Sequence, residues 1–129
     1  MKRILLLAVA LVAAAVPVAF AHHSFAVDYH EDQMVTIEGD IQEFQYRNPH
    51  AIVIVRLQDA QGQAANWAAE WVGAGRLGQT GITAETLKPG DRVRIDGSPG
   101  RDPAAHRIHL KAISRPADGW TWAGRNRRR

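Results

Sequence analysis

Apolar residues follow two different patterns in this chain. Residues 4–16 form an unbroken run of Ile, Leu, Val and Ala behind Lys2 and Arg3. Pro17 ends the run, and Ala19 and Ala21 then stand at the −3 and −1 places of a small-x-small cleavage site, so residues 1–21 read as an export signal. The apolar stretch up to Ala21 lies at the low end of a membrane span. The polar His22-His23-Ser24 that follows favours cleavage over an anchor. No cysteine lies near the junction, which excludes a lipid-modified start.

Beyond the junction the apolar positions alternate with polar ones. Phe25, Val27 and Tyr29 suggest an extended arm. Residues 34–46 read as a long first strand, with a bend expected at Gly39. Arg47-Asn48-Pro49-His50 reads as a turn, because the residue before proline avoids helical backbone. Residues 51–59 are rich in β-branched side chains and form a second strand; residues 60–63 close a hairpin into a third, 64–72. On that third strand Trp67, Ala69 and Trp71 share one face and Glu70 lies on the other. The glycine-rich residues 73–81 leave room for one helical turn near 76–79. Thr83 starts a capped turn that leads to Lys88-Pro89-Gly90-Asp91. A fourth strand spans 92–97, and a fifth spans 106–114 with Ile108, Leu110 and Ala112 on one side. Five strands with a short helical insert between the third and fourth predict a mainly β fold, a small OB-like barrel. The expected organisation is a signal peptide over 1–21, a barrel domain with its arm over 22–114, and a basic, Trp-containing tail over 115–129.

Charge narrows the function classes. The full chain has 16 Lys and Arg against 13 Asp and Glu. Lys2 and Arg3 leave with the signal, and Arg125, Arg127, Arg128 and Arg129 sit at the C-terminus. The ten that remain face the same 13 acids, so the body is mildly acidic and unlike a nucleic-acid binder. The tail's Trp120, Trp122 and four arginines suit either weak contact with an anionic membrane surface or a solvated end. The absence of cysteine excludes both a disulfide framework and a thiolate metal site.

Candidate chemistry rests on the six histidines. Cleavage after Ala21 would give His22 a free amine beside its imidazole, a chelating pair no internal histidine has. His23 adds a second imidazole, and His50 a third on the rigid Asn-Pro turn. Nitrogen donors of this kind suit Cu(II) best and Zn(II) less well. Glu70 is a solvated outer residue or an interior group with a partner; pointed at His50, it would orient that ring or act as an oxygen ligand. The expected metal set is therefore His22, His23, His50 and Glu70. His30 sits in a polar turn, and His106 and His109 face opposite sides of one strand and cannot chelate together. Trp67 and Trp71 read as packing residues or as a face over a bound cation. Enzyme signals are missing: Ser24, Ser98 and Ser114 stand in no nucleophile elbow, and the G-x-G-x-x-G form at 73–78 lacks the βαβ context of a nucleotide site.

Ala-His-His-Ser-Phe at 21–25, Asn-Pro-His at 48–50, Asn-Trp-Ala-Ala-Glu at 66–70 and Leu-Lys-Pro-Gly-Asp at 87–91 occur here in one order. On these motifs the chain resembles a family of small exported bacterial proteins, domain of unknown function 6152, over residues 22–114. The resemblance implies a secreted OB-like β domain and carries no activity with it. His22, His23, Ser24, Asn48, Pro49, His50, Trp67 and Glu70 match its motifs. The strand order is also similar to that of small periplasmic copper carriers, whose methionine-rich pattern is absent here. The expected function is that of a periplasmic protein that carries or buffers Cu(II). The alternatives are an envelope interaction module using the barrel face around Trp67 and Trp71, and a copper oxidase with an N-terminal histidine ligand.

Overall fold

A computed structural model describes residues 24–125 of the chain. The expected signal peptide, His22, His23 and the last four residues lie outside that range.

The first strand, β1 (Val35–Gln45), organises the molecule. Its alternation turns Ile37 and Ile41 into the core and leaves Thr36, Glu38 and Asp40 in solvent. The N-terminal half pairs with β4 (Arg92–Pro99), from Val35 opposite Gly97 to Asp40 opposite Arg92. The C-terminal half pairs with β2 (Ile52–Gln58), ending with Gln45 opposite Ile52. One strand thus belongs to both sides of a curved sheet. The register slips between Ile41 and Glu43, so the irregularity falls at Gln42 and not at the expected Gly39. Gly39 answers a different need. A Cβ there would lie 2.3 Å from the Arg56 carbonyl oxygen and 2.9 Å from a Val55 methyl group.

Asp59 builds the next hairpin by accepting hydrogen bonds from the Gln61 and Gln63 amides, at 2.9 and 2.8 Å. It leads into β3 (Ala64–Glu70). β4 pairs antiparallel with β5 (Arg107–Arg115), and β5 pairs in parallel with β3 through Ala68–Arg107, Ala69–Ile108 and Glu70–His109. The order β1-β2-β3-β5-β4 therefore closes on itself as a five-stranded OB-like barrel, as the sequence predicts. Among the described residues two short α-helices accompany it, α1 (Phe25–Asp28) and α2 (Ala74–Gly78), the second between β3 and β4, with a 3-10 turn at Pro103–Ala105 before β5.

Three segments differ from the sequence reading. The arm starts as α1, because Ser24 Oγ accepts the Ala26 amide at 3.3 Å and caps a turn. In β5 the pairing steps from Gly97–Leu110 to Asp96–Ala112, leaving Lys111 unmatched. That slip changes the inward residue, so Ile113 is buried where alternation expects Ala112. Finally, residues 120–123 are a sixth strand, β6 (Trp120–Ala123), paired with β5. The Trp122 ring meets Trp71 edge-on with 4.8 Å between centroids, and the Arg115 guanidinium lies over Trp120. These contacts occupy the two tail tryptophans in packing.

The core contains Val53, Val55, Ala69, Trp71, Leu77, Val93, Ile95 and Ile108, all fully buried. Trp71 has no exposed surface, which removes it from any docking face. Of the strip Trp67-Ala69-Trp71, Ala69 and Trp71 are fully buried, while Trp67 is partly buried against the core and stacks on His106.

Candidate functional site

Glu70 and His109 stand side by side on the outside of the barrel, as register partners across the parallel β3–β5 seam. The arm covers them. α1 and the residues after it lie across the seam, fixed by a bridge between Tyr29 and Gly100 and by the His30 amide donating to the Pro99 carbonyl at 2.9 Å. Tyr29 is fully buried under this strap.

Glu70 is the hub. It lies on the outer face as the alternation requires, yet its side chain is only 14% exposed because the arm shields it. The Tyr29 hydroxyl and the Arg107 guanidinium (2.7 Å) donate to Oε2, and His50 Nδ1 lies 2.8 Å from Oε1. Burial pushes the Glu70 carboxyl up, but the Tyr29 hydrogen bond, the Arg107 charge and the His50 contact outweigh it and hold the group below its ordinary value. Burial, then the neighbouring carboxylate, pushes the Tyr29 phenol well above its ordinary range, so it stays a donor. With three donors in place, Glu70 orients its neighbours. The oxygen-ligand role expected for it would require one of those donors to be displaced.

His50 gains its position from the turn before β2. Asn48 Oδ1 accepts the Gly75 amide at 3.1 Å. Gly73 lets the segments touch: a Cβ there would lie 2.4 Å from the Pro49 carbonyl and 2.6 Å from Asn48 Oδ1. The glycine-rich stretch, where the sequence leaves room for one helical turn, is the floor under the Asn-Pro-His turn. A carboxylate only accepts, so the His50 contact calls for a proton on Nδ1, and in the neutral ring that leaves Nε2 as a lone-pair donor. The side chain is 37% exposed.

A second imidazole has the same backing. His109 Nδ1 lies 2.7 Å from Glu31 Oε1, while Lys111 holds the other Glu31 oxygen. Burial depresses the His109 pKa, against the pull of Glu31, and the ring is neutral near pH 7. Phe25 joins the two histidines. Its ring stacks on His109 at 3.6 Å with 8° between planes, and its centroid lies 4.8 Å from that of His50. Near the start of the described residues, Phe25 therefore packs onto the Asn-Pro-His turn.

The other histidines go elsewhere. His30 Nδ1 faces an Arg101 guanidinium nitrogen at 3.3 Å, and His106 stacks on Trp67. Of the four expected metal residues, His50 and Glu70 come together, and His22 and His23 lie outside the described residues. Among the described residues no three His, Asp or Glu side chains converge as a metal cluster. Sequence reasoning missed Tyr29, Arg107, His109 and Phe25. The parallel pairing of β3 with β5 in an OB-like order would have placed position 109 beside 70. Nothing in the sequence announces the Phe25 stack.

No curated protein matches the chain. The family described as a family of unknown function, DUF6152, matches residues 9–109, which is most of the chain. The chain, with its Asn-Pro-His turn and the Glu70 hub, belongs to that family.

Proposed function

We propose that this is an exported, periplasmic metal-binding protein that carries or buffers Cu(II). The binding set is the N-terminal amine and imidazole of His22, the imidazole of His23 and Nε2 of His50. Glu70 serves as the group that fixes the His50 tautomer, a common device for raising the basicity of a ligating imidazole. Cu(II) fits this all-nitrogen donor set best, and Zn(II) is the weaker candidate. No catalytic step is assigned.

The observation that carries this reading is the contact of Phe25 with His50. Phe25 lies three residues after His22, and three residues of chain reach at most about 10 Å. A mature chain that starts at His22 thus begins within reach of His50 Nε2.

The test is a copper titration of processed protein beginning at His22, beside one with a single extra N-terminal residue and beside His50→Ala. The expected result is a clear loss of affinity in both altered proteins. Equal affinity in all three would overturn the reading. An interaction module is the other functional class, and the buried Trp71 weighs against a face centred on that residue.

A further inference from the structure

A groove of about 730 Å³ runs between α2, β5 and β6, and meets the candidate site only at His109, which lines it. Val72, Leu110 and Trp122 form its apolar part, and Arg76, Lys111 and Arg125 bring positive charge. No acidic residue lines it. Lys111 is balanced by Glu31, but Arg76 and Arg125 make no ion pair among the described residues. The unbalanced charge of the groove is therefore two guanidiniums over an apolar surface.

The framework around it is firm. The Tyr46 hydroxyl lies 3.0 Å from the Ala74 carbonyl and 2.8 Å from the Ile82 carbonyl, and so ties both ends of the α2 segment to β1 and its turn. Gly73 sets the start of α2 directly against Pro49. On the other side the Gly124 amide donates to the Lys111 carbonyl at 2.9 Å, holding the chain beyond β6 to β5, with Trp122 braced on Trp71. Such a site asks little ordering of the protein on binding.

We infer that this groove binds a small organic anion, a carboxylate on a flat apolar body. The ring would lie against Trp122 and Val72, and the carboxylate would take charge-assisted hydrogen bonds from Arg76 and Arg125, whose planar forks suit it. A simple inorganic anion leaves the apolar surface unused. A neutral aromatic leaves the guanidiniums unpaired. This inference is independent of the copper reading, because none of the proposed metal ligands lines the groove.

The probe is 1-naphthoate, with 1-naphthalenemethanol as its uncharged counterpart, followed by amide and indole chemical-shift changes on the full-length mature protein. The expected result is saturable binding of the acid with shifts at Trp122, Leu110 and Arg76. The alcohol should bind roughly tenfold or more weakly, as loss of charged hydrogen bonds requires. The double variant Arg76→Gln, Arg125→Gln should weaken the acid to a similar degree while leaving the alcohol unchanged. Because both arginines are on the surface, this variant keeps the fold, and its spectrum verifies that. The inference fails if acid and alcohol bind equally, if the double variant binds the acid as well as the parent does, or if the shifts map elsewhere.

Discussion

Phe25 stacks face to face on His109, 3.6 Å between ring centroids, while Glu31, six residues later, holds the Nδ1 of that same imidazole. The arm therefore grips one residue of β5 from two directions. Replacing Phe25 with Ala should remove the first grip and leave the second. The expected cost is about 1–2 kcal/mol, the scale of a half-buried aromatic contact. Urea unfolding measures that loss. Hydrogen exchange should accelerate at the His30 and Glu31 amides and stay unchanged in β1. Uniform acceleration across the barrel would contradict a local arm.

Glu70→Gln should cost about 2 kcal/mol or more, because it leaves the Arg107 charge and the Tyr29 hydroxyl without their carboxylate. The pH dependence has a definite sign. The folded-state pKa of Glu70 is depressed, so its contribution is complete above the unfolded value of 4.5 and is lost as pH falls through the folded value. In Glu70→Gln this acid loss should shrink. A stability–pH curve taken below pH 5 decides it.

His109 titrates in a different window. Its folded pKa lies below the ordinary 6.5, so between those two values the unfolded chain binds the extra proton. Stability from this group is complete above pH 6.5, falls as pH drops below it, and levels off beneath the folded value. Direct titration of the ring by NMR should give a midpoint under 6.5, and His109→Gln should flatten that part of the stability curve.

Gly73→Ala tests the floor of the turn. The added methyl would lie 2.4 Å from the Pro49 carbonyl, so something must shift. A destabilisation of about 2–3 kcal/mol is expected, the range for backbone effects at a close approach. Displacement of the neighbouring turn should lower copper affinity through His50. Gly62→Ala is the comparison: it sits in the Asp59 hairpin with open space around it and a φ of +76°, so its cost is backbone strain alone and its effect on copper should be nil.

Much of the barrel was legible because period-2 alternation survives wherever one face of a strand is buried. β1 to β4 lie within two residues of their predicted bounds at each end. In β5 the same rule failed past Leu110, because a one-residue slip at Lys111 exchanges the faces without altering composition. β6 was hidden by its surroundings: Trp120 and Trp122 look like tail residues until Trp71, far along the chain, and the nearby Arg115 supply partners. At the candidate site, His50 stood out through its Pro turn. The state of Glu70 depended on Tyr29, His50 and Arg107, between 20 and 41 residues away, and side-chain pairing at that distance leaves no local pattern.

The parallel pairing of β3 with β5 is the last closure of the barrel and the shortest ladder of the five that form it, with three register pairs. Tyr29 reaches Glu70 on one side of that joint, and Glu31 reaches His109 and Lys111 on the other. The strap is in effect a suture across the joint. A chain trimmed past Glu31 would lose more than a terminus, since the two lips of the barrel would be left to hold by three residue pairs and the Arg107–Glu70 ion pair. Any event that lifts the strap would act first on this β3–β5 joint, and a metal shared by the arm and His50 would fasten it.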